Sequence, residues 1–260
     1  MANFKLVSFD LKADFGFFKK PDINDGLYLT YNMLHKPTLL GILGAIVGLQ
    51  GYQKNGEFPE YYQILKSLKI GIQPLGSDKG NFAKDILSYN NGTGFASFEN
   101  GGNLIVREQF LIRPAYRCYL LLDLDSSVEN DLANKLSKYH AEFLPYMGKN
   151  DFSAWWENFV EYDYNVFDFS CDYKIMSVFS KTEAASQYVV KQFSLLSKEE
   201  AIWFYFERLP ICFNEQLWQY MYSDFVFSNA TFAKGMDMST AGLFYEIVNG
   251  KGERGIIQLF

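Results

Sequence analysis

From Val7 to Phe17 the side chains alternate. Val7, Phe9, Leu11, Ala13, Phe15 and Phe17 fall on one face, and Ser8, Asp10, Lys12 and Asp14 fall on the other. A period of two over this length is that of a long β-strand with one buried face, so the fold is built on a sheet. A loop follows, from Lys19-Lys20-Pro21 to His35-Lys36. Pro37 then suits the first turn of a helix, where a missing N–H costs nothing. Leu39, Leu40, Ile42, Leu43, Ile46 and Val47 make that helix apolar nearly all round, so it is expected to be buried. Gly41, Gly44 and Gly48 form one small-residue stripe on it. A glycine costs about 1 kcal/mol in a helix interior. Close packing against a sheet is the expected compensation.

Between residues 73 and 103 periodicity fails and glycines gather: Gly76, Gly80, Gly92, Gly94, Gly101 and Gly102. A structureless connection longer than about 15 residues is uncommon in a compact domain. The stretch therefore reads as a projecting hairpin or loop whose tip orders on a ligand. It leads into a second extended segment, 104–124. Phe110, Ile112, Tyr116, Cys118, Leu120 and Leu122 share its even face, and Arg107, Gln109, Arg113, Arg117 and Tyr119 its odd face. The arginines share that face only if the strand runs through Pro114 without a bulge.

Ser126 to Glu129 has the pattern of a capping box, and Val128, Leu132 and Leu136 continue a helix expected to reach Phe143. His140 lies on or beside its apolar face and is expected to be a core histidine. Phe167, Phe169, Cys171, Tyr173 and Ile175 then alternate with Asp168, Ser170, Asp172 and Lys174 as an extended segment. A helix is expected over 182–193. Asn249-Gly250 marks a closing hairpin between 246–248 and 255–260. The order strand, helix, long hairpin, helix, strand predicts an α+β protein. Residues 1–160 are expected to form a ferredoxin-like domain and residues 161–260 a smaller β-rich part.

Composition narrows the function. With 48% hydrophobic and 21% charged residues, the 260-residue chain can bury one large core or two unequal ones. The opening residues do not read as a secretory signal, and the longest apolar run, 39–49, is too short for a membrane helix. Three scattered cysteines, Cys118, Cys171 and Cys212, fit reduced thiols in a cytoplasmic protein. Only two histidines are present, which excludes a multi-histidine metal site, and no cofactor motif survives inspection. The run from Gly250 to Gly255 fits Gly-x-Gly-x-x-Gly, yet five residues after it leave no room for the helix a dinucleotide needs. Glu157, Glu161, Asp163, Asp168 and Asp172 are read as solvated strand faces ahead of a paired-carboxylate site.

A net charge of −6 speaks against indiscriminate nucleic-acid binding. Any RNA contact must come from a local patch. Candidates are Lys19, Lys20, Asn32, His35 and Lys36 in the first loop, together with Arg107, Arg113 and Arg117; lysine, arginine and amide groups suit phosphates and base edges of single-stranded RNA.

These residues resemble a known family. The strand 4–17, the loop 30–35, the glycine helix from Pro37 to Gly48, the 107–119 strand and the turn Pro145-Tyr146-Met147-Gly148-Lys149 are similar to the Cas-five family of CRISPR-associated proteins, nearest its type I-B branch. The resemblance covers residues 1–150 and implies an RNA-binding ferredoxin-like domain with a long hairpin "thumb" over about 73–107. It implies a non-catalytic subunit of a type I interference complex (Cascade) that holds the 5′ handle of the guide RNA and caps the backbone filament. It also implies contacts with the backbone and large subunits, and with target DNA through the complex. The handle would meet the 19–38 loop, Thr38 included, the arginine strand, and Lys149 in the turn. One branch of the family processes guide-RNA precursors, so a metal-independent endoribonuclease using His35 with Tyr31 or Lys36 is the alternative reading. A protein–protein scaffold without RNA contact is a third.

Overall fold

The structure is a computed structural model and describes residues 3–22, 26–90, 105–181 and 201–260. The expected helix at 182–193 and the hairpin tip at 91–104 lie outside the described residues. The first half contains β1 (Phe4–Ala13), β2 (Phe15–Gly16), α1 (Lys36–Val47), α2 (Glu60–Leu65), β3 (Lys69–Pro74), β4 (Lys84–Asn90), β5 (Ile105–Ile112), β6 (Ala115–Asp123) and α3 (Ser127–Ser137). The second contains β7 (Ala154–Val166), β8 (Phe179–Ser180), β9 (Phe204–Asn214), β10 (Gln219–Ser228), β11 (Leu243–Asn249) and β12 (Arg254–Leu259). The protein is mixed α+β and mostly strand.

Six strands make one antiparallel sheet in the order β12-β11-β7-β1-β6-β3. The hairpin β11–β12 anticipated at Asn249-Gly250 is present, and it extends this sheet through β7. Beyond β12, Phe260 exchanges backbone hydrogen bonds with Ile70 of β3 at 2.9 and 3.1 Å, so the two edges of the sheet meet. Met176 N–H donates to Ile256 and Val178 N–H to Ile72, which carries the connecting segment across the same gap. Residues 167–178 are irregular, yet Phe167, Phe169, Tyr173 and Ile175 are buried in the expected alternation; Cys171 is exposed.

The rolled sheet buries both faces of β1. Val7, Phe9 and Leu11 pack under the helices, as the alternation requires. The polar face is enclosed as well: Ser8 is fully buried and Asp10 nearly so. Leu6, Tyr119, Tyr245, Ile257 and Leu259 fill the space beside them. The expectation of one wet face is thus corrected, because β11 and β12 curl over it. The polar atoms are satisfied there. Asp10 accepts two hydrogen bonds from the Arg117 guanidinium, at 2.7 and 2.9 Å, and one from Asn158 at 2.9 Å. Ser8 Oγ lies 3.0 Å from Tyr162 Oη. Asn158 reaches Asp10 from a bulge in β7, at φ +54°, where the register with β1 shifts.

Helix α1 is enclosed between the sheet and the β9–β10 hairpin, whose Leu209 and Phe225 join the same core. That accounts for a helix apolar on every side, each enclosed leucine or isoleucine contributing about 1.5–3 kcal/mol. Its glycines face side chains rather than a sheet: Gly41 and Gly44 lie against Tyr61 of α2. A Cβ at Gly44 would overlap Tyr61 of α2, and one at Gly48 would fall 2.8 Å from the Glu142 side chain. Gly41 and Gly44 admit α2, and Gly48 admits the Glu142 side chain. Helix α3 has half of the expected capping box: Ser126 Oγ accepts from Glu129 N–H, but Ser126 N–H donates to Asp123 O and the Glu129 carboxylate accepts from Asp123 N–H instead. It stops at Ser137 because Tyr139 turns left-handed at φ +54°. His140 therefore lies beyond the helix and is exposed, contrary to the core role expected of it.

Candidate nucleic-acid interface

The loop after β2 folds back on itself and is stitched to its surroundings. Lys20 N–H donates to Leu29 O, and Tyr31 N–H to Phe18 O. Tyr28 docks on β5, its N–H donating to Arg107 O while its carbonyl accepts from Gln109 N–H. Strands β4 and β5 pair along their length, Lys84 opposite Leu111 and Asn90 opposite Ile105. They form a hairpin whose tip lies outside the described residues, and β5 also pairs with β2. The turn before β7 closes the assembly, since Phe17 N–H donates to Met147 O.

The expected arginine stripe does not exist as such. The extended segment breaks at Arg113, where φ is +50°, and Pro114 follows. Strand β5 joins the hairpin sheet and β6 the main sheet, so Arg107 and Arg117 lie in different sheets. Arg107 and Arg113 are exposed, with no ion pair among the described residues. Arg117 is committed to Asp10, whose side chain is 4% exposed.

Three of the loop candidates are absorbed by packing. Asn32 is 1% exposed and fully bonded: its amide donates to Gly80 O, its side-chain oxygen accepts from Phe82 N–H, and its carbonyl accepts from Tyr116 Oη. The Glu207 carboxylate fixes the same loop by accepting from the backbone N–H groups of Asn32 and Met33. His35 is buried between Phe18, Tyr31 and Tyr220 with Thr38 Oγ1 3.1 Å from its Nε2. Lys36 is buried and donates to Phe260 O at 3.0 Å. Burial, and the nearby Lys69 charge, push its amine down to about 8. Thr38 is half-buried at the foot of α1.

The groups that remain accessible gather at the base of the hairpin. Lys19 is exposed with its ammonium 3.8 Å from the Tyr28 ring centre. Lys20 lies 5.1 Å from the Tyr31 ring and 3.9 Å from Glu207. Lys149 donates to Glu108 at 2.6 Å and to Tyr89 Oη at 3.1 Å, and Asp151 stands 3.6 Å away. Arg107 and Glu108 are neighbours on β5 and point to opposite faces, so cations flank the hairpin on both sides. Lys84, at the start of β4, feels the charges of Glu207 and Lys20. Sequence reasoning missed Lys84, Tyr28, Tyr89 and the two buried carboxylates. Position within the glycine-rich stretch 73–103 was the signal available for Lys84 and Tyr89; nothing in the sequence tied Tyr28 to β5 or Glu207 to residue 32.

Burial holds the His35 imidazole neutral, down to about 3 against an ordinary 6.5. The unfolded chain binds that proton below about 6.5 and the folded protein does not, so folding stability falls as pH drops through this window. The slope from this one group is about 1.4 kcal/mol per pH unit between the two values. A His35→Gln variant should lose stability less steeply than the wild type between pH 6 and about 4, measured by urea unfolding at stepped pH. Parallel curves would contradict the account.

Two of the acidic residues on β7, Glu157 and Glu161, are engaged by Lys12 and Lys5 of β1, and no group of metal-ligating residues occurs among the described residues. No helix among them is long and apolar enough to cross a membrane.

No protein-family model matches the chain, and no curated protein matches it. Solved structures do match in shape. One titled a CRISPR protein from Archaeoglobus fulgidus is 13% identical, with a TM-score of 0.46, over 98% of this chain and 99% of that one. A chain of a CRISPR RNA-guided surveillance complex is 11% identical, with a TM-score of 0.43, over 88% and 91%. A Cas protein is 14% identical, with a TM-score of 0.36; the match covers 56% of this chain and 57% of that one. These three structures are CRISPR proteins at low identity. Scores below 0.5 leave the reading of function to the residues.

Proposed function

We propose that this chain is a non-catalytic, cytoplasmic subunit of a type I CRISPR interference complex that holds the 5′ handle of the guide RNA at the base of its hairpin. The observation that carries the reading is the joining of loop 19–31 to β5, which places Lys19, Lys20, Lys84, Arg107 and Lys149 around one hairpin in a chain of net charge −6. Cations beside tyrosine rings suit the phosphates and bases of a single strand. The order β7-β1-β6-β3, with α1 and α3 in the crossovers, supports a ferredoxin-like domain over 1–160 with its thumb within 73–107. In the complex the chain caps the backbone filament, meets the large subunit, and reaches target DNA only through its partners. The burial of His35 and the engagement of Lys36 weigh against acid–base cleavage at that pair.

Fluorescence anisotropy with a short labelled single-stranded RNA tests the contact. The Lys19→Ala/Arg107→Ala variant should bind more weakly, with the slope of log affinity against log salt smaller by about 1.4, two phosphate contacts at roughly 0.7 each. An unchanged affinity and slope would leave the scaffold reading standing.

A further inference from the structure

A groove that adjoins the hairpin base at Pro21 and Gly148 runs between α1 and the β9–β10 hairpin. It consists of two adjoining hollows of about 450 and 470 Å³ that share Tyr52, Phe213 and Tyr220. Their sizes are those of ligand-binding clefts. The rim is unusually apolar for an open surface: Leu144 is 76% exposed, Tyr52 60%, and Phe143 and Trp218 nearly half. Patches of this kind mark interaction sites.

The chemistry of the lining is one-sided. No charged residue lines the first hollow, and Asp22 is the single charged group lining the second. Arg208 lies 5.2 Å from the Tyr222 ring without forming part of the lining. With no cation in the lining to meet phosphates, a nucleic acid is a poor occupant. The polar groups inside are chiefly tyrosine hydroxyls. Burial raises Tyr52, Tyr61 and Tyr220, the last to about 12, so they stay neutral donors. The aromatic walls are held in place before any ligand arrives. Trp218 stacks on Phe58 at 4.2 Å with 6° between planes, and Tyr220 stacks on Phe213 at 4.6 Å. Rigid aromatic ridges lose little freedom on binding.

A groove of fixed aromatic rings and hydroxyl donors matches a chain that offers flat apolar rings and backbone acceptors without backbone donors. Proline-rich sequence in the polyproline II conformation has those properties. We propose that this groove docks an extended, proline-rich segment of a partner protein, oriented by a basic residue of that segment at Asp22. Leu144 and Phe143 cover its apolar far end.

Anisotropy of two fluorescein-labelled decaproline peptides on the full chain tests this, one carrying a terminal arginine and the other a glutamate. The arginine peptide should bind saturably and lose at least about tenfold in affinity with Tyr52→Ala or Trp218→Ala, both exposed positions. Asp22→Lys should weaken the arginine peptide and strengthen the glutamate peptide, a reversal that loss of fold cannot produce. Absence of saturable binding, or indifference to the Asp22 charge, overturns the proposal. So does a labelled uridine decamer whose binding depends on Tyr52. RNA binding that depends on Lys19 and Arg107 but not on Tyr52 leaves the groove to the peptide and keeps the two sites distinct.

Discussion

Replacing Gly148 with alanine is expected to destabilise the protein by about 3 kcal/mol or more, combining backbone strain with an overlap that cannot relax. Gly148 has φ +83°, and a Cβ there would strike the carbonyl of Phe17, a backbone group rather than a mobile side-chain end. That carbonyl belongs to the segment tied to the turn by the Phe17–Met147 hydrogen bond. Moving the turn would also withdraw Lys149 from Glu108, leaving a carboxylate with 9% side-chain exposure without its cation. Both stability and the geometry of the hairpin base should suffer. Gly56→Ala is the control: its φ is also +83° but nothing lies within 4 Å of the added carbon, so about 1 kcal/mol is expected. Urea unfolding of both variants distinguishes them, and equal midpoints would show that the turn is not clamped as described.

Asp10→Ala should be nearly as damaging, at about 3 kcal/mol, the lower end for breaking a buried pair. The carboxylate accepts from Arg117 and Asn158 within the rolled sheet, and removing it strands a guanidinium that is only 27% exposed. Arg117→Ala leaves the opposite orphan, a carboxylate with one amide partner, and is expected to cost a similar amount. Arg107→Ala, on the exposed face of β5, should change stability by less than about 0.5 kcal/mol. A loss below about 1 kcal/mol for Asp10→Ala would mean that water reaches this pair freely.

The contrast between those arginines shows what was legible in the sequence. Local rules located β1, α1 with Pro37 in its first turn, the N-cap at Ser126 and the β11–β12 hairpin, because each depends on residues a few positions apart. The polar face of β1 reads as wet by the same rules. It is dry because β11 and β12, more than 200 residues later, fold over it. Asn32, His35 and Lys36 have the residue types of an RNA-binding loop, yet contacts from Gly80, Tyr220 and Phe260 enclose them. Lys19, Lys20, Arg107 and Arg113 keep the exposure that a binding role needs, and only Lys19 and Lys20 have an aromatic ring beneath them. The left-handed turn at Arg113 decides the rest, since it sends β5 and β6 into different sheets. Nothing in the residue pattern around Pro114 distinguishes that corner from a simple bulge.

The central claim is that the hairpin base holds one constant RNA end. Tagging the chain in its native host, purifying it gently and sequencing the 5′ ends of co-purifying small RNAs tests this directly. The account predicts RNAs sharing a short constant 5′ segment ahead of varied sequence, retained by the wild-type chain and depleted at least about tenfold in Lys19→Ala/Arg107→Ala. Recovery of no RNA, of RNA without a shared end, or of the same RNA at full yield from the double variant would contradict it.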